Sequence, residues 1–422
     1  MGDRKVMDAK AVRGVNAMTA AWSRAAVKDE GTVFAAAGVW PLLALLAGAA
    51  GGPARAELER ALGTGADGAT TLGREVIEAL AGLEGVDAAT GLWTRQELPV
   101  RPEWEAELPP GVRGTLTGDT ARDRKELDAW ASRRTGGEIG EMPVPLTPDT
   151  LLVLAGALMV KTTWVQPFKE GWMRPSSGPW AERQLAGLTR TTTDLDGTLR
   201  VVPDTPAGPL TLSGVSGDNG LDVHLVLGAE DVPGGEVLEA GIAALGGGYE
   251  GLPGSALPLG EAGPGVKVME VTSWDPTPSL VLNTPQFTVR ARHDLLRHAD
   301  LFGLRTAQDD SRGHFPGISP TPLAVSSGQQ TITAAFSPEG FFAAAVTAFS
   351  MGVGSAPPAE KAKLVSVRYE RPFGFLAVHR ATGLVLTAGW VTEPEREPEP
   401  QHGANRPWGL PARGPRLPGH PG

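Results

Sequence analysis

The chain has 422 residues, with 48 acidic against 38 basic side chains for a formal net charge of −10, and it contains no cysteine. Disulfide scaffolds, thiolate chemistry and cysteine-ligated zinc are therefore excluded, and the seven histidines stand singly rather than at ligand spacings. The acidic balance argues against nucleic acid as a partner, since phosphate neutralisation needs clustered lysine and arginine.

The first third reads as helical. Val15, Met18, Trp22 and Ala25 recur at three- and four-residue steps, the mark of one apolar helix face. Residues 40–50 predict a second helix, with Pro41 in its first turn and Gly51-Gly52 as its stop. This region (39–50) is also the most apolar run, and it falls short of the ~20 residues that cross a bilayer. Pro53 opens a third helix that Gly63 ends, and residues 123–135 form another, with Leu127, Trp130 and Ala131 on one face. No secretory leader is read before these helices, which places the chain in the cytoplasm.

From residue 151 strands take over. Residues 151–160 are continuously apolar, as in a strand buried on both faces. Alternation marks further strands through Leu221, Val223, Leu225 and Leu227, through Phe287, Val289 and Ala291, and through Ile332, Ala334 and Phe336. Residues 373–379 and 384–391 flank Arg380-Ala-Thr-Gly383 as a hairpin. Helices first and then many strands indicate an α+β fold rather than a doubly wound one. Residues 341–363 form a long small-residue connection between two strands, of the kind that is functional or disordered. Residues 393–422 carry eight prolines and little to bury, which predicts a disordered tail. The domain is placed at 1–394 and the tail at 395–422.

Catalytic signatures are missing: there is no Gly-x-Ser-x-Gly, His-Glu-x-x-His, Walker loop or Ser-x-x-Lys. Gly246-Gly-Gly-Tyr-Glu-Gly251 matches the dinucleotide fingerprint but follows a helix-like stretch and meets Pro253, so it reads as a linker. His224 reads as a surface or satisfied strand histidine and His314 as a loop residue. His293 and His298, beside Arg292 and Arg297, read as a solvated helix face, as do the acids of 103–107. No acid–base pair assembles, so no enzyme and no cofactor are expected.

The order of segments nevertheless resembles one family. Leu152-Val-Leu-Ala-Gly-Ala-Leu-Met-Val-Lys161, Trp164 and Pro167-Phe168 resemble the serpin strand, Lys-x-x-Trp turn and Pro-Phe. Pro285-Gln286-Phe287, Phe302-Gly303-Leu304 and Phe315-x-Gly317 follow in the family's order. Pro338-Glu339-Gly340-Phe341-Phe342-Ala343-Ala344-Ala345-Val346-Thr347 resembles the hinge of its reactive loop, and Arg371-Pro372-Phe373 with Leu386-x-x-Gly389 its closing hairpin.

The resemblance implies three β-sheets, about nine helices and an exposed reactive loop. It also implies a monomeric serine-protease inhibitor whose cleaved loop inserts into the large sheet and traps the acyl-enzyme; strand insertion by serpins is a standard example of strand addition. Family analogy allows an extracellular address as well. A non-inhibitory binding or structural serpin is the alternative, and a hydrolase a third.

Several residues depart from the family. Alternation puts Phe341 on one face with Ala343, Ala345 and Thr347, at the first inserting position, where overpacking costs ~1–3 kcal/mol. Gln330 stands where many serpins have a buried histidine that controls sheet opening, next to Trp164 in the implied opening region. Ala35-Ala-Ala-Gly38 replaces its Ser-Pro-x-Ser partner, and Gly156 replaces an asparagine. Two counts locate the scissile bond differently, at Gly354-Ser355 from the hinge and near Lys361 from Pro372.

Overall fold

The helices form where apolar periodicity is strongest. In a computed structural model that describes residues 7–142, 144–341 and 360–396, Ala9–Ala26 is a helix that buries Val15, Met18 and Trp22. Asp8 caps it, accepting from Lys10 N at 2.6 Å. The Ala36–Ala49 helix starts four residues earlier than the periodicity predicts, so Pro41 lies inside it rather than in its first turn. An interior proline costs ~3 kcal/mol. Here the helix is buried on nearly every side and that burial carries the proline. Gly52–Leu62 ends at Gly63, whose φ of 68° only glycine adopts readily. Ala66–Ala81, which the sequence reading leaves unassigned, buries Ala69, Leu72, Val76 and Leu80. Thr120–Arg134 matches the predicted 123–135 helix.

Nine α-helices and three sheets are present among the described residues. The central sheet places Arg113–Leu116, Val86–Arg95, Leu152–Val160 and Ser327–Phe336 side by side, with Phe287–Asp294 at its edge. Its two middle strands, Leu152–Val160 and Ser327–Phe336, run parallel, paired from Ser327↔Val153 to Ile332↔Leu158. Both come fully or alternately buried, as their composition predicts. A second sheet is built around the Phe373–His379 and Leu384–Val391 hairpin, with Leu221–Leu227 on its other flank. The third contains Lys169–Met173, Leu185–Thr192, Ser279–Pro285, Glu360–Arg368 and Val266–Ser273.

Two cores result. The larger fills the space around the buried 36–49 helix and between the central and hairpin sheets. A smaller one lies on the outer face of the central sheet. There the 120–134 helix and the segment after it set Leu127, Trp130, Ile139 and Val144 on Trp93, Val153 and Ala155. No residue of 327–336 or 287–294 belongs to this second core.

Two expectations are corrected here. His293 lies in the Phe287–Asp294 strand, not on a helix, and only His298 closes a short 3-10 turn, Leu295–His298. The body also extends past residue 394. Glu395 N donates to Gln286 O at 2.9 Å, Glu395 O accepts from Ala186 N at 3.0 Å, and Arg396 bridges Leu185. Thr288 Oγ1 donates to Glu395 Oε1 at 2.7 Å, and Arg183 pairs with Glu393 at 2.6 Å. The cause is geometric. The 279–285 strand leaves its neighbour at Gly187 to enter the central sheet, and the chain end satisfies the backbone groups it abandons. Residues 397–422 lie outside the described residues.

Candidate functional site: the hinge and the seam of the central sheet

The site begins where the 327–336 strand ends. Residues 337–340 reverse the chain, with Ser337 N donating to Gly340 O at 3.0 Å and Ser337 Oγ to the same oxygen at 2.9 Å. Gly340–Phe341 then forms a short strand between Phe336 on one side and Thr162–Thr163 on the other. Trp164 and Phe168 fasten the reversal. Trp164 Nε1 donates to Ser337 O at 3.0 Å, Trp164 N to Glu339 O at 2.8 Å, and Phe168 N to Pro338 O at 2.9 Å. Both rings pack on Phe336, with centroids 4.9 and 5.5 Å away, and Phe287 stacks on it at 5.4 Å.

Beneath them the Arg190 guanidinium lies 5.1 Å over the Phe168 ring. Burial pulls its pKa down to about 10, against the attraction of Asp194, so it stays charged near neutrality. Its Nη2 donates to Gly214 O at 3.1 Å, while its Nε lacks a partner.

Phe341 is 1% exposed, with its ring 5.9 Å from that of Phe375. The residue expected to obstruct entry is thus already lodged in the sheet of the intact chain. Phe336, across the short reversal, and Phe375, far away in sequence, make a slot that alternation alone does not reveal. Of the remaining hinge and scissile candidates, Phe342, Ala343, Ala344, Ala345, Val346, Thr347, Gly354 and Ser355 lie outside the described residues.

Lys361 is corrected. It belongs to the Glu360–Arg368 strand, in register with Thr272, and pairs with Glu270 at 2.5 Å, which raises its pKa. Lys363 is in the same strand, and its Nζ donates to Ser255 O and Leu257 O, each at 2.7 Å. Neither lysine stands in an extended loop that a protease could thread.

Below the hinge, Gln330 lies fully buried under the seam. Its Oε1 accepts from Ala35 N at 2.9 Å and its Nε2 donates to Ala35 O at 2.8 Å, so both halves of the amide are satisfied by one residue. The small residues nearby allow this approach. A Cβ on Gly38 would sit 3.5 Å from Gln330 Nε2, and one on Gly156 3.3 Å from Gly38 O. The neighbour of Gln330 across the sheet is His293. The His293 Nε2 lies 2.8 Å from Val33 O, which fixes it as the donor, and burial lowers its pKa. A histidine thus does lie under this sheet, one strand over from the position the family pattern suggests.

Elsewhere the weak matches stay inert. The 246–251 glycines follow the Gly234–Leu245 helix, which makes them a helix exit rather than a strand-to-helix phosphate loop. His224 is in the Leu221–Leu227 strand, where burial lowers its pKa. Ser311 Oγ donates to Asp309 at 2.6 Å, and His314 Nε2 lies 3.3 Å from the same carboxylate. The acid sits between hydroxyl and imidazole, which is the wrong order to activate a nucleophile. Hydrogen bonds from Ser311, then His314, hold the Asp309 pKa at about 2. No group of side chains able to hold a metal occurs among the described residues, and no helix there is long and apolar enough to cross a membrane.

A parallel seam with a hinge docked at its open end, inside a three-sheet body, defines a class of protein. A serpin (serine protease inhibitor) family model matches residues 16–177 and 266–394, and the chain belongs to that family. Protease inhibition is the family's general activity, and its fold is mostly that of non-catalytic inhibitors. Among curated relatives, a putative serpin-Z8 of Oryza sativa subsp. japonica is 26% identical over 406 residues, covering 88% of this chain and 93% of its own. Among solved structures, human thyroxine-binding globulin superposes with a TM-score of 0.69 at 15% identity, over 92% of this chain and 99% of its own. Native protease nexin-1, solved with heparin, gives 0.67 at 17% identity over 92% and 99%. A serpin of the trematode Schistosoma haematobium gives 0.66 at 14% over 91% and 100%.

Proposed function

We propose that this serpin inhibits a serine protease by covalent trapping. The protease cleaves a bond in the 342–359 segment, and the portion after Phe341 then enters between the 152–160 and 327–336 strands. The observation that carries this reading is the hinge: Gly340 and Phe341 already pair at the mouth of that seam. Cleavage falls before Glu360, because from there the chain is paired with the 266–273 strand, and from Leu364 with the 279–285 strand as well. The count from Gly340 favours Gly354-Ser355. The body supplies bait and mechanical coupling, and the bond-breaking chemistry is the protease's own.

A second reading, a binding or structural serpin whose loop is only a substrate, is favoured by Gln330, which holds Ala35 beneath the seam through both halves of its amide. One experiment separates them. The protein is incubated with trypsin-, chymotrypsin-, elastase- and subtilisin-type enzymes, followed by a denaturing gel, mass spectrometry of the cut and a melting curve of the nicked protein. Trapping gives an SDS-resistant adduct and a nicked form that melts at a much higher temperature. Cleavage with no adduct and an unchanged melting temperature overturns inhibition in favour of the second reading.

A further inference from the structure

The outer face of the central sheet carries a groove that inhibition as described does not use. On one bank stand Arg290 and Arg292 of the edge strand with Thr331 and Thr333 beside them. On the other are Glu138 and Glu141, and the space between is about 660 Å³. A second groove of about 580 Å³ continues from it through the shared Arg292, with Arg124 facing Arg297 and His298. In a chain of net charge −10, four arginines converge on one trough.

Their local acids do little to quench them. Arg292 reaches Glu141 only at 3.5 Å and Arg297 reaches Asp294 at 3.8 Å, both between solvated side chains. Glu138 is drawn instead to Lys161, at 3.4 Å. The Thr331 Oγ1, at the floor, is buried without a hydrogen-bond partner. Arg290 and Arg292 are two residues apart on a strand and so project from the same face about 7 Å apart, which lets their two long guanidinium arms grip one compact polyanion from both ends.

The location gives the trough its consequence. One bank, with Glu138, Glu141 and Arg124, rides on the 86–95 and 152–160 strands through the second core. The other bank belongs to the 327–336 and 287–294 strands. The seam that must part for insertion runs between them, and the Arg292–Glu141 pair already spans it.

We propose that this trough binds a small polyvalent phosphate, of triphosphate class, and that the bound anion holds the two halves of the central sheet together, slowing insertion. The effect on insertion rests on the inhibitory reading; the binding does not. Titration calorimetry of the full chain with tripolyphosphate at low ionic strength is expected to show one site, weakened about tenfold by Arg290→Gln or Arg292→Gln. Arg133→Gln, on the 120–134 helix with Arg124 but outside the trough, should leave it unchanged. ATP binding with similar strength keeps the phosphates as the recognised element; ATP binding alone, or equal losses in all three variants, overturns the site.

For the second half, the protein is nicked with protease and the rise in thermal stability is followed over time with and without tripolyphosphate. A severalfold slowing in the wild type that is lost in Arg292→Gln is expected. Unchanged rates despite binding overturn the clamp, whereas no stabilisation in either case overturns the inhibitory reading and leaves the site standing.

Discussion

Replacing Gln330 by leucine removes the amide while keeping similar bulk, so it isolates the polar part of the contact beneath the seam. Two hydrogen bonds, at 2.9 and 2.8 Å, are lost together. The Ala35 carbonyl keeps the bond it accepts from Gly38 N at 3.1 Å, so the group left orphaned is the buried Ala35 N–H. One such group costs about 1–3 kcal/mol. A chain of this size has an unfolding entropy near 0.8 kcal/mol/K, so Tm should fall by roughly 1–4 °C. The assay is thermal unfolding followed by circular dichroism.

Gln330→Glu sharpens the test. A protonated glutamic acid can still accept from Ala35 N and donate to Ala35 O, but a carboxylate cannot donate. Its folded pKa is therefore raised above the unfolded value of about 4.3. The sign follows: this variant should approach wild-type stability below that pH and lose it as pH rises through the folded pKa. A Gln330→Leu protein melting no lower than wild type would refute this account of the contact.

Phe341→Thr should undock the hinge, because a ring packed beside Phe375 is lost; hydrogen exchange at Gly340 and Phe341 should speed up, and unchanged protection would contradict the slot. Ending the chain after Arg396 should leave Tm unchanged, whereas ending it after Thr392 removes the bonds of Glu395 and the Arg183–Glu393 pair and should cost about 2–4 kcal/mol. Equal melting of the two truncations would be the contrary result. Asp123 accepts from Thr117 N at 2.8 Å, Thr117 Oγ1 at 2.7 Å and Gly118 N at 2.9 Å. Burial pushes its pKa up, but these bonds and the charge of Arg95 outweigh that and hold it below the ordinary value. Its stabilising contribution is thus present above the unfolded pKa and lost as pH falls, so the gap in Tm between wild type and Asp123→Asn should close on acidification. A gap that persists at acid pH would argue against this.

The order of elements was legible because each carries its own periodicity. The 152–160 run announces a strand buried on both faces, and Gly63 marks a helix end by a conformation other residues avoid. What escaped depends on distant partners. His293 follows Arg290 and Arg292 in a string of charge that reads as solvated. Only the fold shows that alternate residues turn inward and bring its ring within 5.2 Å of Trp22. The proline-rich end predicts disorder from composition, yet an abandoned N–H at Ala186 recruits Glu395. The Phe341 slot likewise depends on Phe375, which the hinge sequence does not announce. Lys361 was misplaced because a count from Pro372 ignores how far the third sheet reaches toward the loop.

The lodged ring of Phe341 also fixes the reading frame of whatever follows. Side chains on a strand alternate strictly, and a slip of one residue would turn every one of them over. With Phe341 anchored inward opposite Phe336, the insertion proposed above would start from a parity that the resting molecule has already set, before any bond is cut.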